Sequence, residues 1–151
     1  MYRTLTKAQL GQLIRSQRES LILEDVGVPS EGVAIYTLSD PRDLRAVRYV
    51  GQSRAPSRRF VQHLNAARLW LPDEVPWWYK APPGLRPLHD WIRELHREDY
   101  RLPVMRVSAR AATVAVARQM ERALIHQYLG QNASLLNVES EILGRQVPLG
   151  I

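Results

Sequence analysis

The chain has no cysteine, a single phenylalanine and only two lysines, Lys7 and Lys80, among its 151 residues. Without cysteine there is no disulfide framework, no thiolate zinc site and no thiol nucleophile. No apolar run approaches the roughly 18 residues that a membrane span needs. Met1–Leu10 also lacks the apolar core of a signal peptide. These absences predict a soluble intracellular protein, of cytoplasm or nucleoid, with no membrane partner. P-loop, dinucleotide-glycine and G-x-S-x-G motifs are missing. His89, His96 and His126 lack the paired spacing of zinc ligands and read as surface or core histidines. The length fits one domain of roughly 100–200 residues, able to bury about 68–70% of its unfolded surface.

What the chain does have is arginine. Lysine and arginine total 21 against 15 acidic residues, a net charge of +6. Between Pro41 and Arg68 stand Arg42, Arg45, Arg48, Arg54, Arg58, Arg59 and Arg68 against Asp43 alone, so this one segment carries the whole excess. A GC-rich coding sequence also favours arginine, so distribution says more than abundance. Concentrated guanidinium forks, which grip phosphate through two bonds at once, suit a phosphate-binding face.

Hydrophobic periodicity predicts a helix over Thr6–Leu23, with Leu10, Leu13, Ile14 and Leu21 recurring and Thr6 as its cap. Val33–Leu38 and Val47–Gln52 read as two strands of a hairpin with an arginine-rich loop. Pro56-Ser57 opens a helix with Phe60, Leu64, Ala67 and Leu71 on one stripe. A proline-rich stretch around Trp77-Trp78-Tyr79 follows, then a helix over Leu88–Arg97, a third strand over Leu102–Val107 and a long helix over Ala112–Leu129. The expected architecture is a small α+β domain on a three-stranded antiparallel sheet flanked by helices, with an extra N-terminal helix.

Several residues are ordinary one at a time. Arg59 and His63, four apart, share a helix face and suit a phosphate clamp and a proton shuttle, or simply an exposed pair. Tyr36 and Tyr49 lie on adjoining strands; a tyrosine becomes a useful base only beside a cation or metal, and otherwise packs for area. Glu121 falls beside the apolar stripe of the last helix, where it can hold a hard divalent ion or pair with Arg118 or Arg122. Gly51 is expected to end the second strand and open a loop, Gln52-Ser53-Arg54, allowing close approach by a phosphate or merely a turn.

Their order is distinctive. Ala34-Ile35-Tyr36, then Tyr49-Val50-Gly51, then Arg59 eight residues after Gly51, His63 four further on, Glu121 on a later helix and Asn137 beyond it resemble the GIY-YIG nuclease superfamily. The resemblance spans about two-thirds of the chain, with Ala34 in place of the first glycine and Val50 in place of the isoleucine. It implies a nuclease core over 33–138, a helical extension over 1–32 and a tail over 139–151. It also implies an endonuclease hydrolysing phosphodiester bonds in DNA with one divalent ion, Mg²⁺ or Mn²⁺. By the same resemblance Glu121 holds the metal, Arg59 binds the scissile phosphate, and Tyr36 or Tyr49 activates water with His63, Tyr36 being favoured. Asn137 would be a positioning residue. Gly51, Ser53, Arg54, Arg58, Arg68, Trp77 and Trp78 are the expected nucleic-acid contacts; the two tryptophans either stack on bases or plug the fold. No second domain is recognisable, so target choice would fall to the domain itself, a homodimer or a partner protein.

Overall fold

The computed structural model describes residues 5–69, 85–99 and 101–137. In chain order these form α1 (Lys7–Leu21), β1 (Ile22–Glu24), β2 (Val33–Asp40), β3 (Asp43–Ser53), α2 (Pro56–Ala66), α3 (Arg86–Asp99), β4 (Val104–Ala111) and α4 (Val114–Gly130). The class is mixed α and β, as expected, but the sheet has four strands in the order β1-β4-β2-β3. β2 pairs antiparallel with both β3 and β4, whereas β1 runs parallel to β4. This fourth strand corrects the three-stranded expectation: Ile22 and Leu23 continue the apolar pattern of α1, but the chain leaves the helix at Ile22 (φ −125°, ψ 106°). Within α1, Thr6 caps the N-terminus through a reciprocal pair of bonds with Gln9.

Alternation along β2 divides the core. Ala34, Tyr36 and Leu38 join Leu10, Ile14 and Leu21 of α1, Phe60 and Leu64 of α2, and Leu88, Ile92 and Leu95 of α3. Val33 and Ile35 instead join Ala117 and Ile125 of α4. Successive strand residues point to opposite faces, so α4 covers one face and the other three helices the other. The N-terminal helix therefore packs into the main core.

Two bulges adjust this frame around Tyr36. Leu38 pairs with Tyr49 but Ser39 pairs with Val47, leaving Arg48 as the extra residue in β3. Ile35 pairs with Ala109 but Tyr36 pairs with Val107, leaving Ser108 extra in β4. Each bulge flips the side-chain parity of its strand. Tyr49 and Val107 thus face the three-helix side, and Val47 and Ala109 face α4.

The hairpin is tighter than expected. β2 reaches Asp40 and β3 begins at Asp43, so only Pro41 and Arg42 turn the chain. The predicted arginine-rich loop is mostly strand, and at its turn Arg42 pairs with Asp40 through two bonds, Nε to Oδ1 at 2.9 Å and Nη2 to Oδ2 at 2.8 Å. That bond also holds the Asp40 carboxyl below its ordinary pKa. No helix among the described residues is long and apolar enough to cross a membrane.

Candidate active site

Tyr36, Tyr49 and His63 converge on the three-helix face of the sheet. Tyr36 lies opposite Gly51 in the β2–β3 register, and Tyr49 lies diagonally across, opposite Leu38. Gly51 is inside β3, not at the start of a loop as expected, and its missing side chain has a direct use. A Cβ there would sit 2.5 Å from Tyr36 Oη, 2.6 Å from Tyr36 Cζ and 3.0 Å from Tyr49 Cε2. The glycine makes room for the tyrosine rings, and a phosphate does not need to be invoked to explain it.

His63 enters from α2, whose Phe60 and Leu64 anchor it in the core and fix the rotation that turns His63 inward. The ring meets Tyr36 through a 2.9 Å hydrogen bond between Tyr36 Oη and His63 Nε2. It also meets Tyr49 edge-on, with centroids 5.7 Å apart and planes at 72°. Tyr36 and His63 are each only 1% exposed. Burial first, then the positive charge of Arg59 and the neighbouring His89, push the His63 pKa down to about 3. At neutral pH His63 is an uncharged imidazole. The Tyr36 hydroxyl then donates to Nε2 in the Nδ1–H tautomer, or accepts from it in the other.

Arg59 stands one turn before His63, half-buried, with Nη1 donating to Gln62 Oε1 at 3.3 Å. Its charge acts on both His63 and His89. Arg54 and Arg58 are exposed around the start of α2, where no acidic residue occupies the first turn. Ser53 Oγ accepts from Ala55 N at 3.0 Å, turning the chain from β3 into that helix. Arg18 Nη2 of α1 donates to Ser57 Oγ at 3.0 Å, bringing a further cation to the same end of α2.

Other arginines of the basic segment are engaged within the fold. Arg45 pairs with Asp43 at 3.4 Å. Arg48 lies over the Trp91 ring, 5.3 Å from its centroid, and donates through Nε to Ser134 O at 2.9 Å. Arg68 adopts a left-handed φ of 55° just past the end of α2, the position where glycine is usual. The buried Arg93 guanidinium closes that end, with Nη1 bonded to Ala67 O at 3.1 Å and to Arg68 O at 2.6 Å. A cation at a helix C-terminus also meets the negative pole of the macrodipole. Of the segment's arginines, Arg42, Arg45, Arg54 and Arg58 remain exposed, whereas Arg48 packs against Trp91.

Asn137 has a defined geometric role. Its side-chain amide brackets the Val50 peptide, accepting from Val50 N at 3.0 Å and donating to Val50 O at 2.9 Å. Leu136 N bonds Arg48 O at 2.6 Å, using the carbonyl of the bulged residue. Residues 134–137 thus cover the β3 edge and brace the backbone between Tyr49 and Gly51. Glu121 arrives from the opposite layer, 4% exposed on the α4 stripe with Ala117 and Ile125. Among the described residues no group of three or more His, Asp or Glu side chains could hold a metal. A metal here would rest on one carboxylate with water and substrate oxygens, a ligand set that Mg²⁺ accepts. Trp77 and Trp78 lie outside the described residues.

His89, expected as a surface or core histidine, is in the core, and Arg93, which no motif marked, is buried beside it on the same helix. Both are buried on α3, and with His96 they form a line at i, i+4 and i+7. That spacing was the available signal, obscured because Leu88, Trp91, Ile92 and Leu95 on the same helix already account for a core-facing stripe. The His89 ring lies 5.9 Å from that of His63, and burial and Arg59 lower its pKa to about 4. Comparison with protein-family models, curated proteins and solved structures returns no match.

Proposed function

We propose that the chain is a divalent-metal-dependent endonuclease that hydrolyses phosphodiester bonds in DNA, of the GIY-YIG type its motif order resembles. The observation that carries this reading is the Tyr36–His63 hydrogen bond at 2.9 Å, framed by Tyr49 and by the space that Gly51 leaves. A tyrosine alone is a poor base at neutral pH, because its hydroxyl titrates near 10. A neutral imidazole at hydrogen-bond distance orients the Tyr36 hydroxyl, and with a pKa of about 3 it takes up the phenolic proton only while the water attacks, as Tyr36 accepts the water's proton.

Arg59, one turn before His63, binds the scissile phosphate and offsets charge on its non-bridging oxygens. Glu121 holds one Mg²⁺ or Mn²⁺, which when bound stabilises the leaving 3′ oxygen. Asn137 keeps β3 in register so that Tyr49 and Gly51 stay beside Tyr36. Ser53, Arg54 and Arg58 flank the entry to α2 and contact the nucleic-acid backbone.

The near-complete burial of Tyr36, His63 and Glu121 favours a second reading, a subunit or binding module that cuts only in a larger assembly, or not at all. One assay separates the two. Single-stranded, duplex, nicked, flap and junction DNA, with RNA as a further substrate, are incubated with the protein in Mg²⁺, Mn²⁺ or chelator. Metal-dependent cutting supports the nuclease. Salt-sensitive binding without cutting supports the module.

A further inference from the structure

Among the described residues, His89 is a buried group beside the Tyr36–His63 pair to which the proposed nuclease gives no task. It is 2% exposed, and neither ring nitrogen has a hydrogen-bond partner. A buried polar atom left unbonded is destabilising, so an imidazole with two such atoms demands an explanation. Its ring lies 5.9 Å from that of His63, centroid to centroid, with planes at 59°. The one side-chain hydrogen bond described for His63 runs through Nε2 to Tyr36, which leaves Nδ1 for a second bond. Three groups therefore stand in a row: a phenol on β2, an imidazole on α2 and an imidazole on α3.

We propose that His63 and His89 act as one proton-holding unit, in which a proton accepted by His63 is shared with His89 through a hydrogen bond between the two rings. The step balances simply. The Tyr36 O–H bond breaks and an N–H bond forms at His63 Nε2, giving a phenolate and an imidazolium. The imidazolium Nδ1–H then donates to a neutral ring nitrogen of His89. A charge-assisted bond of this kind is roughly twice as strong as a neutral one, and it satisfies an atom that is otherwise unbonded. The unit also has to work against Arg59, whose charge disfavours a proton on either ring. The other groups facing it are Tyr36 and Tyr49 against His63, and Arg86 and Asp90 on the helix of His89. Within the proposed nuclease, and resting on that reading, His89 is a positioning residue that acts through His63.

The test does not depend on cleavage. The imidazole nitrogens of the full chain are followed by NMR through an acid titration in wild type, His89→Leu and His89→Gln. Sharing predicts that the wild-type rings of His63 and His89 shift together in their first protonation step. It predicts that His89→Leu binds that first proton about tenfold more weakly at His63, one pKa unit lower, and that His89→Gln, which retains an acceptor oxygen, recovers part of the loss. If the two rings merely repel, removing His89 raises the proton affinity of His63, and that result overturns the proposal. Should the variants not fold, the wild-type titration decides alone, because independent protonation of the two rings would also overturn it. A chain with linked rings that never cuts DNA would refute the nuclease and leave the proton-holding unit standing.

Discussion

Mild acid should destabilise this protein before its carboxylates titrate. His63 and His89 have folded-state pKa values of about 3 and about 4, against 6.5 for an unperturbed histidine. Between those values and 6.5 the unfolded chain binds more protons than the folded one, so stability falls as pH falls. The loss begins near 6.5, continues through the folded-state values and stops below them, where both states are protonated. At pH 5 the unfolded state gains about 2 kcal/mol for each imidazole, about 3–4 kcal/mol for the pair after some solvent screening. That is a large share of the 5–15 kcal/mol typical of a domain. Urea unfolding followed by circular dichroism at pH 7, 6 and 5, at fixed ionic strength, measures it directly. The comparison protein is the double variant His63→Asn/His89→Asn, which starts less stable but does not titrate at these positions. Wild-type stability should fall by about 3–4 kcal/mol over this range while that of the variant falls much less. Equal slopes in the two proteins would show that these histidines are not buried as neutral groups, and would refute the reasoning.

Other perturbations address separate parts of the site. Gly51→Ala places a methyl 2.5 Å from Tyr36 Oη, which His63 holds in place, so it should cost about 1–3 kcal/mol and break the Tyr36–His63 bond. Denaturant midpoints and the Tyr36 hydroxyl proton in NMR check the two effects. Asn137→Leu removes both bonds to the Val50 peptide and should destabilise by about 2–3 kcal/mol, with faster amide exchange at Val50. Arg93→Met keeps much of the side-chain volume but exposes the α2 end carbonyls to an apolar neighbour; a loss of about 1–3 kcal/mol is expected in the same denaturant assay.

Local patterns made much of this arrangement readable from residues alone. β2 announces itself through β-branched and aromatic residues, α2 through its proline start and the Phe60–Leu64 spacing, and α4 through a long apolar periodicity. The ordered motif also drew attention to Tyr36, Tyr49 and His63, which the fold brings into contact. What escaped depends on long-range geometry. Ile22–Glu24 pairs with Met105–Val107, over eighty residues away, and its short apolar run continues the pattern of α1. The bulges at Arg48 and Ser108 decide which face Val47 and Ala109 occupy, and nothing in a local window marks them. Arginine count alone does not say which charges the fold uses: Arg48 packs on Trp91 and bonds the Ser134 carbonyl, whereas Arg42 and Arg45 pair with Asp40 and Asp43 yet stay on the surface. His89 looked like an isolated histidine because its ring neighbour His63, 5.9 Å away, arrives from another helix.

The most direct test of the central claim compares wild type with Glu121→Gln and Arg59→Ala in a single-turnover DNA cleavage assay with Mg²⁺ or Mn²⁺. Each variant is first shown to be folded. Wild type should cut in a metal-dependent way, with activity lost on chelation and reduced by roughly 10²–10³ or more in either variant. Cutting that persists undiminished in both variants, or that survives removal of the metal, would contradict it.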